Sequence, residues 1–140
     1  AEGGHLNDYR SHAENNKKFA SRYLHRGRFD WKLAEKRSDP ETYQGRIFSA
    51  LRKLEKVRAA NEVFMAQAEF YPVETGSPNV LCIFRQYGKQ KLLALFNFCG
   101  EERVLSFDHT LSYTDLMTGE KRTDNSVTLE RYGFIWALED

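Results

Sequence analysis

The sequence predicts an α+β chain: an N-terminal loop and one long helix, followed by an antiparallel all-β domain. Three observations carry this. Apolar residues recur at three- and four-residue steps from Tyr43 to Val57, the spacing of one helix face. After Asn61 the pattern changes to short β-leaning runs, roughly ten residues apart and separated by turn clusters, as in a sandwich or barrel. Seven Tyr, ten Phe and two Trp are many for 140 residues, and aromatics favour strands and bury large areas.

Taken in order, residues 1–20 are polar and aperiodic (Gly3, Gly4, Asn7, Asp8, Asn15, Asn16) and read as loop. Asp30 is placed to cap a short helix from Trp31 to about Lys36. Ser38 and Glu41 stand at capping-box spacing, with Pro40 suited to a first helical turn. They predict that the long helix runs from about Pro40 to Ala60. Its stripe, Tyr43, Ile47, Leu51, Leu54 and Val57, must be buried on something. With no linker before the β region, the stripe is expected to pack partly on the β domain. Strands are expected at Ala66–Val73, Val80–Gln86, Lys91–Phe98, Arg103–Phe107, Leu111–Leu116, around Val127 and Leu129, and over Tyr132–Leu138. Leu92–Phe96 is almost continuously apolar, as in a strand buried on both faces. Tyr87-Gly88-Lys89-Gln90 reads as a hairpin turn.

Composition removes several function classes. A formal net charge of +1 implies no polyanionic partner. Residues 17–37 hold Lys17, Lys18, Arg22, Arg26, Arg28, Lys32, Lys36 and Arg37 against Asp30 and Glu35. Nothing aligns these cations on one face, so no nucleic-acid partner is expected. Cys82 and Cys99 make no disulfide framework and read as buried thiols inside strand-like runs, which favours a cytoplasmic setting. No run of eighteen apolar residues is present, so no membrane span is expected.

Local signatures of chemistry are absent from the sequence. His5, His12, His25 and His109 lack metal-ligand spacing, so no metal is expected. Without a phosphate-cradling glycine loop or a nucleophile elbow, no cofactor and no catalytic residue is expected. A retaining glycosidase needs two carboxyl groups about 5 Å apart. The adjacent Glu101 and Glu102 fall in a turn and read as solubilising. Tyr87, Tyr113 and Tyr132 are candidates for stacking on sugar rings, the alternative being core or rim.

One stretch goes further. Ser21-Arg22-Tyr23-Leu24-His25-Arg26-Gly27-Arg28-Phe29-Asp30-Trp31, then Lys36–Thr42, Gly45-Arg46-Ile47-Phe48 and Leu51-Arg52-Lys53-Leu54 closely resemble the segment joining the catalytic barrel of amylosucrases to their C-terminal domain. Amylosucrases are sucrose-using members of the α-amylase family. Leu6-Asn7-Asp8-Tyr9 resembles the segment after their last barrel strand. Leu92–Phe98 and Gly133-Phe134-Ile135-Trp136 resemble strands of their C-terminal domain. The resemblance implies that residues 1–60 are the tail of a (β/α)8 barrel, with the final barrel helix. Residues 61–140 would then be a C-terminal Greek-key β-sandwich.

In the parent enzyme the implied activity is glucose transfer from sucrose to α-glucan or water, with hydrolysis and phosphorolysis close alternatives. The implied role of Arg22 is to pair with a barrel aspartate at the closed end of the sucrose pocket, a geometry that bidentate guanidinium–carboxylate pairing fixes well. Ala20 stands where that motif usually has Asp. The implied partner is the missing catalytic barrel. Alone, the chain is expected to lack catalysis and to self-associate through surface the barrel would cover. A stand-alone carbohydrate-binding sandwich and a basic interaction domain are the competing classes.

Overall fold

The structure, a computed structural model, describes residues 30–140. The chain divides into two units, Ala1–Ala50 and Leu51–Asp140. Within the described part of the first, Asp30 caps helix α1 (Trp31–Glu35), its Oδ1 accepting from Lys32 N at 2.9 Å. A 3-10 turn follows at Lys36–Ser38. Helix α2 is Tyr43–Ala60, starting three residues later than the capping-box reading placed it. Thr42 is its cap: Oγ1 accepts from Gly45 N at 3.1 Å and donates toward Asp39 O at 2.8 Å and Lys36 O at 2.9 Å. Ser38 is spent in the 3-10 turn, and Asp39 Oδ1 takes Glu41 N at 3.0 Å. That local turn competes with helix at Pro40 and Glu41. Gly45 lets the turn sit close, since a Cβ there would stand 1.8 Å from Asp39 O.

Leu51–Asp140 contains a six-stranded antiparallel sheet: β1 Glu69–Val73, β2 Val80–Tyr87, β3 Gln90–Asn97, β4 Arg103–Asp115, β5 Lys121–Leu129 and β6 Phe134–Glu139. Spatial order is β1-β2-β3-β6-β4-β5. The sandwich expected from the sequence is present because this sheet curls over. In a flat sheet β5 would lie three strand spacings, about 14 Å, from β3. Instead Leu95 of β3 shares one core with Val127 and Leu129 of β5, together with Val80, Cys82, Leu105, Tyr113 and Ala137. The connectivity is of the Greek-key kind: β6 skips β5, its predecessor, and enters between β3 and β4.

Two strands expected at 103–107 and 111–116 are one, β4. The break between them is a register shift: Ser106 pairs with Ser126 and Leu111 with Asp124. Four residues, 107–110, therefore face Asn125 alone, and such an irregularity bends a strand. The β2–β3 turn holds Gly88 at φ 55°, in the left-handed region that glycine enters without strain. Pro72 lies in β1, an edge strand, where a missing N–H is tolerated.

The continuous apolar run of β3 is buried on both faces, as expected. Leu93 and Leu95 face the core just described, while Leu92, Ala94 and Phe96 face a second cluster with Val63 and Trp136. Leu54 and Val57 of α2 pack on this second cluster. Earlier stripe positions Tyr43, Ile47 and Leu51 are exposed, so the stripe packs on the sheet in part. Between helix and sheet, the 3-10 turn Glu62–Phe64 is pinned from two sides. Val63 N donates to Gln90 Oε1 at 2.9 Å. Arg85 donates from Nε to Val63 O at 2.9 Å and from Nη2 to Met65 O at 3.0 Å.

Both cysteines are free. Cys99 is not inside a strand but in the turn after β3, half-buried, its Sγ 3.0 Å from Asn97 Oδ1. Cys82 is in the core, and burial pushes its thiol from 9.0 to about 11. The folded state therefore keeps a proton that the unfolded chain loses. The corresponding stability is intact below pH 9 and is lost as pH rises to 11. Urea midpoints measured across this window should fall more steeply for the native sequence than for Cys82→Val. Parallel slopes would refute the linkage.

Candidate interaction surface

The feature with most functional content is the helix-side face of β2, β3 and β6. Alternation puts Leu92, Ala94 and Phe96 on this face of β3, and the ring of Phe98, just past the strand's end, stacks on Phe96. Register sets Leu92 opposite Leu138, Ala94 opposite Trp136 and Phe96 opposite Phe134. On the other flank Leu81 opposes Phe96, and Ile83 opposes Ala94. The result is an apolar surface three strands wide.

One end of this surface is covered by Leu54, Val57 and Phe64, which lie with Trp136, Leu92 and Ala94. The other end is bare. Leu81 is 39% exposed, Phe134 37% and Phe98 65%, with Phe96 half-buried between them. Their rings form a continuous row. Centroids are 6.4 Å apart for Phe98–Phe96, 6.0 Å for Phe96–Phe134, 5.6 Å for Phe134–Trp136 and 4.7 Å for Trp136–Phe64. The row runs from bare surface into packed interior. Bare apolar patches of this kind mark interaction sites, and rigid aromatics are favoured anchors.

Across the sheet, a cavity of about 270 Å³ opens where β4 bends. Val73, Phe84, Leu93, Phe107 and Leu111 form its apolar wall. Its polar rim is already engaged: Lys91 Nζ stands 3.3 Å from Glu139 Oε2, and His109 Nδ1 is 2.6 Å from Asp108 Oδ1. The His109 contact holds the Asp108 carboxyl below its ordinary range. Tyr113 borders the cavity, and burial raises its phenol against the opposing pull of Arg122. Nothing in this lining joins a nucleophile to a base.

The residues singled out by sequence fall as follows. Arg22 and the motif around it lie outside the described residues, as do His5, His12 and His25. Tyr113 is 3% exposed and belongs to the core, so it is not available for sugar stacking. Tyr87 is half-buried at the β2–β3 turn, and Tyr132 is exposed at φ 52°. Glu101 lies in the turn before β4 and pairs with Arg103 at 3.0 Å. Among the described residues no three His, Cys, Asp or Glu gather as metal ligands, and no helix is long and apolar enough to cross a membrane. The row Phe96, Phe98 and Phe134 was not singled out from sequence. Its signal is aromatic residues two apart: Phe134/Trp136 within β6, placed on one face by alternation, and Phe96/Phe98 at the end of β3.

No family model matches the sequence. Solved structures do match the fold. The trehalulose synthase MutB from Pseudomonas mesoacidophila MX-45 superposes with TM-score 0.60 at 17% identity, over 76% of this chain and 19% of that protein. Isomaltulose synthase from Erwinia rhapontici NX5 gives TM-score 0.60 at 21% identity, over 76% and 20%. An Anoxybacillus α-amylase gives 0.59 at 14% identity, over 67% and 22%. The fold of this chain is thus the fold of one part of these enzymes, and the chain spans about a fifth of their length.

Proposed function

We propose that this chain is the C-terminal part of an α-amylase-family enzyme that uses sucrose, an amylosucrase-like glucosyltransferase or glucosidase. In this reading it braces the catalytic barrel and carries no chemistry of its own. The observation that carries the reading is the shared fold with about a fifth of MutB, isomaltulose synthase and the α-amylase. Sucrose is favoured by the amylosucrase-like run from Ser21 to Leu54. One MutB variant is also solved with its substrate sucrose.

Glucosyl transfer with retention needs a nucleophilic carboxylate and an acid/base carboxyl across the scissile bond. Three of the described carboxylates are held in surface ion pairs: Glu101 with Arg103, Glu120 with Arg122, Glu139 with Lys91. In this reading the reacting pair belongs upstream, in the barrel. Arg22 is assigned to hold a barrel aspartate at the closed end of the glucosyl site, and sucrose and α-glucan are the parent's substrates. Surface that the barrel would cover should make the isolated chain self-associate.

The test begins with the source gene upstream of the codon for Ala1. An open frame of several hundred codons is expected, and its full product should release fructose from sucrose. The 140-residue chain alone should release none above the blank. A start codon immediately upstream, or fructose release by the isolated chain, would overturn the reading.

A further inference from the structure

We infer that the bare end of the helix-side face, Leu81, Phe96, Phe98 and Phe134, is the seat on which the upstream catalytic part of the same polypeptide packs. This rests on the function proposed above and adds the contact surface to it.

The face is one continuous apolar layer, and the chain's own α2 and 3-10 turn already cover its other end through Leu54, Val57 and Phe64. The bare end extends the same layer. Leu81, Phe96 and Phe134 lie in a single cross-strand row, and Phe98, just past the end of β3, stacks beside Phe96. Because Phe98 connects through Phe96 and Phe134 to Trp136, a partner seated there would continue packing that already reaches the interior.

The chemistry of the row selects the occupant. Leu81, Phe96, Phe98 and Phe134 bring no side-chain donor or acceptor, whereas a sugar site needs convergent polar groups to fix its ligand. The buried centre of a protein–protein contact, by contrast, is depleted in charge and enriched in aromatic residues. The upstream chain is the protein at hand. About four-fifths of each structural relative lies outside the matched part, and α2, the element through which upstream sequence arrives, already rests on this face.

The experiment is hydroxyl-radical footprinting of the full-length product of the gene, read at single residues by mass spectrometry. Exposed Tyr71 of β1 and buried Leu95 serve as references. Phe98 and Phe134 are expected to be protected to the level of Leu95 while Tyr71 reacts freely. The full-length Phe98→Glu and Leu81→Glu variants should lose sucrose-cleaving activity faster on heating than the native enzyme. Val104→Glu, an exposed position on β4, should not.

Oxidation of Phe98 and Phe134 as fast as Tyr71 in an enzyme that cleaves sucrose would overturn this inference and leave the proposed function standing. Protection only at high protein concentration would assign the face to a second copy, and protection only with added maltooligosaccharide to sugar. Either outcome also overturns it. A gene without the upstream frame would remove both the function and the inference.

Discussion

Asn97→Asp is expected to destabilise Leu51–Asp140 by about 3–5 kcal/mol, the cost of a buried charge left without compensation. Asn97 is 3% exposed at the end of β3. Its Nδ2 donates to Glu101 O at 2.7 Å and Glu130 O at 2.9 Å, with Leu129 O at 3.5 Å. Its Oδ1 accepts from Cys99 N at 3.1 Å. One side chain thus ties the turn before β4 to the end of β5. Aspartate has the same shape but turns a charged oxygen toward three carbonyls. Against a total stability of about 5–15 kcal/mol, such a loss removes a large share.

The sign with pH is fixed by the same contacts. Burial among carbonyls raises the folded-state pKa of the new carboxyl, and a protonated carboxyl can donate again. The deficit should therefore shrink as pH falls toward the carboxylate range. Urea unfolding at neutral and acid pH reads this directly. A variant within about 1 kcal/mol of the native protein, the net worth of one ordinary hydrogen bond, would refute the account.

The second large effect is at Trp136. Trp136→Ala should cost about 3–5 kcal/mol, as truncation of a buried aromatic does. It should also reduce helicity. Trp136 is buried against Phe64 at 4.7 Å and shares a cluster with Leu54, Val57 and Val63. In proteins most helical stability comes from packing of an apolar face rather than from intrinsic propensity, so α2 draws on this platform through Leu54 and Val57. Far-ultraviolet circular dichroism should show helix signal melting before the sheet. Cooperative loss of both at an unchanged midpoint would mean that α2 does not draw on Trp136.

Legibility from the sequence followed the range of the forces involved. The helix stripe and the double-faced burial of Leu92–Phe96 were readable because period and apolarity are local. Asp30 as a cap was readable for the same reason. Ser38 misled because Thr42 lies close by with equal chemistry, and only the Asp39–Gly45 approach decides between them. The continuity of β4 was not readable, since a strand that shifts register looks like two strands around a gap. Strand order, and with it the insertion of β6, depends on contacts between residues far apart in sequence. The aromatic row was visible as aromatics two apart in sequence, yet which pair faces which is set by register across strands. The role of Arg22 rests on resemblance alone.

The place of β6 has a consequence for biosynthesis. β1, β2 and β3 form one antiparallel meander, and β4 with β5 forms a separate hairpin. Phe134–Glu139 is the strand that pairs in a ladder with both, beside β3 and beside β4. A nascent chain can build each half as it leaves the ribosome, but the hydrogen-bonded sheet between them closes only once β6 emerges. Until then the edges of β3 and β4 stand open, and unpaired edges are where nascent β proteins aggregate. A chain that stops before Phe134 is therefore expected to leave β3 and β4 as open edges rather than a closed, shortened sheet.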